Sequence, residues 1–154
     1  MNSLENLKLT GRVHFVVTGP DGVVKEDRVE DNLVVTSGLT YIRDRVSSGT
    51  PPGLITHMAL GTSTQVAAAA DTSVITALGT RGGVTITTPS ATSIKYSSSF
   101  AAGAPAAGTN AITEAGLFTA STGGTMLCRV VFPVINKAAN DTMTVDWTIT
   151  LAAV

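Results

Sequence analysis

The chain is short of charge, of aromatic rings and of cysteine, and each shortage excludes something. Charged residues make up 14% of its 154 residues, against roughly 25% in an average soluble domain. Its surface must therefore rest on Thr, Ser and Gly, or lie partly under partner molecules. Ten basic and eleven acidic residues leave a net charge of −1. No basic stripe interleaved with aromatics exists, which argues against nucleic acid as a partner. Aromatics at 5% predict a thin, aliphatic core. The lone Cys128, in "MLCRVVF", cannot build a disulfide framework and reads as a small buried hydrophobe. The start "MNSLENLKLTGR" lacks the basic and apolar segments of a secretory signal, and no apolar run reaches the ~18 residues that cross a bilayer. No membrane partner and no export route are expected.

The residues of catalysis and metal binding are equally sparse. His14 lies on the polar side of an alternating run and His57 precedes "MALG"; neither has a Cys or carboxylate at ligand spacing. No serine sits in a nucleophile elbow, and "GTRGGV" and "STGGT" lack the Lys and strand–loop–helix setting of a phosphate loop, so both read as turns. Glu26, Asp27, Glu30 and Asp31 crowd around Lys25 and Arg28 as a solvated mixed-charge patch. The expectation is a non-enzyme with no catalytic, cofactor-binding or metal-binding residues and no cofactor.

Short alternating runs separated by turns are abundant. "GRVHFVVT", "GPDG" and "VVKEDRV" read as a β-hairpin, with Val13, Phe15 and Val17 on one face. In "NLVVTSGLTYIRDRVSSG", Thr36 or Ser37 can cap a helix over about 36–47, whose Leu39, Ile42 and Val46 fall at helical spacing. "AAAADTSVITALG" predicts a further turn or two of helix from Asp71 to Gly79. "GVTITT", "SIKYSSSF" and "TVDWTITL" read as strands, and "AAGAPAAGTN" as a small-residue loop, mobile or pressed against a neighbour. The predicted fold is mainly β, an antiparallel β-sandwich or jelly-roll-like domain with one short helix. It spans 1–154, with an N-terminal hairpin or arm over 1–31 and a sandwich body over 32–154.

One carboxylate stands apart. Glu114 lies in "ITEAGLF", among small and apolar residues. Folding 112–132 as a hairpin about "STGG" sets Phe118 opposite Leu127, Gly116 opposite Arg129 and Glu114 opposite Val131. Ala115, Leu117, Met126, Cys128, Val130 and Phe132 then form the core face. Glu114 and Arg129 become a diagonal structural pair on the other face. Phe118, Leu127 and Val131 make that face too apolar to stand free, so another segment or a neighbouring subunit should cover it.

The fragments "NLVVTSGLTYI", "HMALGT", "ALGTR", "EAGLF", "GGTMLCRVVFPVINK" and "DTMTVDWTITL", in this order over about Asn32 to Leu151, resemble a family of tailed-bacteriophage virion structural proteins. The resemblance implies a β-rich module repeated on a virion, without catalytic residues. Because the chain ends soon after its last predicted strand, a capsid cement (decoration) protein is expected rather than a fibre module. It would sit on the capsid surface after synthesis in the host cytoplasm, partnered with the major capsid protein, as a homo-oligomer with a trimer favoured over a dimer. The expected contact elements are the N-terminal segment and the 101–110 loop, with Ala104, Pro105 and Ala106 joining Phe118, Leu127 and Val131 as candidate interface. A baseplate or fibre-adaptor subunit is the alternative, and a carbohydrate-binding sandwich for host attachment the second.

Overall fold

The computed structural model describes residues 6–154. The first hairpin pairs β1 (Leu7–Thr18) with β2 (Val24–Asp31). Gly22, at φ 81°, makes the tight turn between them, its N–H donating to the Gly19 carbonyl. Val13, Phe15 and Val17 are fully buried, as the alternation predicts. The hairpin is no arm, however. All of β1 pairs with β10 (Thr142–Ala153), from Leu7 opposite Ala153 to Thr18 opposite Thr142. This places β1 inside a five-stranded antiparallel sheet ordered β2-β1-β10-β7-β6, with β7 at Ser93–Phe100 and β6 at Thr85–Ser90. An arm would have left the apolar face of β1 in water.

The second sheet is also five-stranded and antiparallel, ordered β3-β9-β8-β4-β5. Its members are β3 (Leu33–Val34), β4 (His57–Gly61), β5 (Gly82–Gly83), β8 (Asn110–Phe118) and β9 (Met126–Lys137). The two sheets face each other as a β-sandwich. Between them lie Trp147, Val145 and Met143 of β10, Phe15 of β1, and Leu117, Cys128, Val130, Phe132 and Ile135 of the second sheet. The Phe15 and Phe132 rings are 4.5 Å apart between centroids. Burial pushes the Cys128 thiol well up, in keeping with its place as a core hydrophobe.

The chain crosses from sheet to sheet at both sides of the sandwich. At one corner β2 runs into β3 through Asn32, whose N–H donates to the Gly11 carbonyl and whose Oδ1 accepts from Trp147 Nε1 at 2.9 Å. Gly11 lacks a Cβ because the Asn32 side chain occupies that space. At the other corner β5 runs into β6 through Val84, whose N–H donates to the Thr56 carbonyl. Strands that switch sheets in this way make the corners of a sandwich.

The one helix among the described residues, α1, spans Thr36–Ser47. Its capping differs from the sequence expectation. Val35 is the N-cap residue, and no side chain caps the helix. Ser37 instead donates its hydroxyl to the Met126 carbonyl, and the Thr36 N–H donates to the Ala69 carbonyl. The buried positions are Gly38 and Tyr41, while Leu39 and Val46 are 53% and 85% exposed. Gly38 sets this face, because a Cβ there would run into the Leu127 carbonyl of β9. The residues 71–79, expected as helix, are irregular chain. They have another use.

Candidate functional site

Glu114 and Arg129 form a fully buried ion pair on the outer face of the second sheet. Adjacent strands place them there: Gly116 is opposite Arg129 and Glu114 opposite Val131, as the hairpin register predicts. Arg129 reaches back along the diagonal, donating from Nε at 3.0 Å and Nη2 at 2.8 Å to Glu114 Oε2. Both donors converge on one carboxylate oxygen, and a charge-assisted bond of this kind is stronger than a neutral one. Glu114 also accepts three backbone N–H bonds, from Ser63 at 3.2 Å, Ile75 at 3.0 Å and Thr76 at 2.8 Å.

Those three amides belong to the stretch 62–81 between β4 and β5, which lies over the pair. It exceeds the roughly 12–15 residues beyond which structureless loops become uncommon. Arg129 holds it from further points, through Nη1 to Asp71 Oδ2 at 2.8 Å and Nη2 to the Gln65 carbonyl at 3.0 Å. Asp71 also accepts from the Ala68 N–H at 2.8 Å. That hydrogen bond and the Arg129 guanidinium hold its carboxyl below the usual carboxylate range, against the opposing effect of burial. The face covering that the sequence calls for is thus supplied by this chain. Helical geometry over 71–79 would tie up the Ile75 and Thr76 amides and take two of the five donors from Glu114. Sequence reasoning missed Asp71 as the third charge of the cluster. Its available signal was an acid in a weakly patterned segment opposite a buried arginine.

The outer apolar residues are distributed differently from expectation. A bulge shifts the register so that Phe118 pairs with Met126, while Leu117 still pairs with Cys128. Met126 therefore joins Phe118, Val35, Ala59 and Val74 in a small outer cluster, and Leu127 turns into the main core. Phe118 and Leu127 are 1% and 3% exposed, and Val131 is half-buried. Phe118 lies beneath Arg81, whose guanidinium carbon is 3.5 Å from the ring centroid. As candidate interface residues, Phe118 and Leu127 are corrected, because this chain already covers them.

The loop after β7 is corrected in the same sense. Pro105 is buried, Ala104 packs against the core, and Ala106 is half-buried. The Pro105 carbonyl accepts the Thr80 N–H, and a Cβ on Gly79, at φ 59°, would collide with that carbonyl. The segment leans on the 62–81 stretch, while Ala101, Ala102, Ala107 and Gly108 remain exposed. Under its start lies Lys137, fully buried, donating to the Ala101 carbonyl at 2.9 Å; burial pushes its pKa down. Asp141 accepts from Lys25 at 2.7 Å. The other expected contact element begins with residues 1–5, which lie outside the described residues.

The mixed-charge patch resolves into pairs, Arg28 with Glu26 and Glu30, His14 with Asp27 at 2.6 Å. His57 Nδ1 lies 2.8 Å from the Thr56 hydroxyl. Among the described residues no three His, Cys, Asp or Glu side chains come together as a metal site. No helix among the described residues is long and apolar enough to cross a membrane.

No family model, curated protein or solved structure matches this chain. Function has to be argued from the cluster itself. Both Glu114 oxygens are occupied by donors of this chain, so the carboxylate has no position from which to take a substrate proton. What the arrangement can do is fasten a long loop.

Proposed function

We propose that this protein is a structural subunit of a tailed-phage virion, and specifically a capsid cement protein. In this role it sits on the outer shell as a homo-oligomer, a trimer in preference to a dimer, and ties neighbouring major capsid subunits together. One observation carries the reading: the buried Glu114–Arg129–Asp71 cluster is engaged wholly within the chain, locking 62–81 onto the sheet. A rigid exposed segment suits a binding module, because ordering it in advance removes that cost from association. Two of the fragments that resemble virion proteins carry the central ion pair of the cluster, and a third forms a neighbouring strand. "HMALGT" holds β4, "EAGLF" contributes Glu114, and "GGTMLCRVVFPVINK" contributes Arg129.

Cementing is a linkage effect. A protein that binds the assembled lattice and not its free subunits stabilises the lattice by mass action, and repeated contacts add avidity. The carbohydrate-binding alternative is disfavoured by its lack of an aromatic platform, since Trp147, Tyr41 and Tyr96 are all buried. Quantitative gels of purified particles test the proposal. Hundreds of copies sedimenting with filled heads are expected; a handful of copies released with detached tails would replace cement by a tail component.

A further inference from the structure

Arg81, at the end of the fastened stretch, is held rigidly and yet is only half used. Its guanidinium lies 3.5 Å above the Phe118 ring. Its Nη1 donates to the Ala120 and Gly123 carbonyls, both at 2.8 Å, in the turn between β8 and β9. Those two bonds account for both Nη1 hydrogens. Nε and Nη2 make no hydrogen bond among the described residues, and neither is a sealed, unpartnered atom. No carboxylate among the described residues lies within ion-pairing distance. Partial burial disfavours the charged form of this side chain, which nevertheless stays protonated at neutral pH.

The Nε–Nη2 edge is the one with which Arg129 holds Glu114, there on the single oxygen Oε2. On Arg81 the same edge is free, and the residue lines a cleft of about 430 Å³. Thr80, Ser121 and Thr122 line it beside Ala77 and Gly79. No other cation and no acid lines the cleft, so its charge matches a monoanion rather than a phosphate dianion. Aromatic stacking and two fixed carbonyls pre-organise the guanidinium, which lowers the entropy lost when a planar ligand docks. We propose that the Arg81 cleft is a carboxylate-binding site, gripping both ligand oxygens with Nε and Nη2. An acidic side chain of a partner protein or a small free acid would present the same two oxygens.

The test is a ¹⁵N NMR titration of the whole protein, following the Arg81 Nε–H signal. The probes are sodium acetate and N-acetyl-glutamic acid α-amide, with sodium chloride at matched ionic strength as control. Both carboxylates should shift the signal saturably, in the millimolar range, while chloride should not. Tighter binding of the glutamate derivative points to a partner's side chain; equal binding points to a free acid. Arg81→Lys keeps the charge and loses the fork, and should weaken the acetate response, followed at the Thr80 and Gly123 amides, about tenfold or more. Indistinguishable acetate and chloride responses in the wild type, or undiminished binding in Arg81→Lys, would overturn the proposal. Because the wild-type titration decides by itself, a poorly folding variant does not rescue it.

Discussion

Arg129 and Arg81 both lie against the outer face of the second sheet, one answered by the chain and the other left half open. Arg129 makes four hydrogen bonds, two to Glu114, one to Asp71 and one to the Gln65 carbonyl, and is wholly buried. Arg81 makes two, both from one nitrogen, and keeps its bidentate edge available. Whether a buried charge is scaffold or offered contact depends on how many of its donors the chain itself answers. Residue type and family of neighbours do not decide it.

The comparison breaks most sharply at Arg129. Arg129→Met leaves Glu114 buried without a counter-charge, and should cost about 3–5 kcal/mol, or roughly 10 °C in melting temperature. The double variant Glu114→Leu/Arg129→Met removes both charges and should lose less than the single change, since replacing a buried pair is milder than orphaning one member. A double variant as damaged as the sum of the singles would show that the two do not act as a unit. Gly38→Ala comes next. Its Cβ meets the Leu127 carbonyl, so α1 must lift from β9, at about 1–3 kcal/mol by thermal melting.

Acid sharpens the comparison from the Asp71 side. The Ala68 N–H and Arg129 lower its folded-state pKa, so its stabilising contribution is complete above the unfolded carboxylate range, about 4, and fades as pH falls through the folded value. Asp141, lowered first by its hydrogen bond from Lys25, follows the same sign. Melting temperature should therefore hold near neutrality and fall on going below about pH 4, with Asp71→Asn flattening part of that fall. The smallest effect is expected at the other arginine. Arg81→Gln loses a partly exposed cation–π contact and two hydrogen bonds from one nitrogen, should cost about 1–2 kcal/mol, and should leave the 62–81 stretch in place. Equal losses at Arg81 and Arg129 would erase the distinction between them.

Much of this was legible in the sequence where a period or a pairing rule applies. Alternation in "GRVHFVVT" and "TVDWTITL" marks β1 and β10, and cross-strand spacing about "STGG" brings Glu114 to Arg129. The bounds of α1 were readable from Thr36 and the Gly49–Pro51 stop, but its buried face was not. A glycine that lets the helix sit on a strand carbonyl outweighs the Leu39–Val46 spacing. The exchange of Met126 and Leu127 between faces follows from a one-residue bulge, which has no sequence signature here. The 62–81 stretch was hardest. Its alanines favour helix locally, yet a buried carboxylate offers its amides better partners, and tertiary hydrogen bonding prevails over propensity.

Amide hydrogen exchange at Ile75 and Thr76 tests most directly whether Glu114 is a fastener. Both N–H groups should exchange far more slowly than that of exposed Val66, approaching the β8–β9 ladder, and lose that protection in Glu114→Leu/Arg129→Met while the sheets remain folded. Exchange at Ile75 and Thr76 as fast as at Val66, in the wild-type protein at neutral pH, would contradict the account.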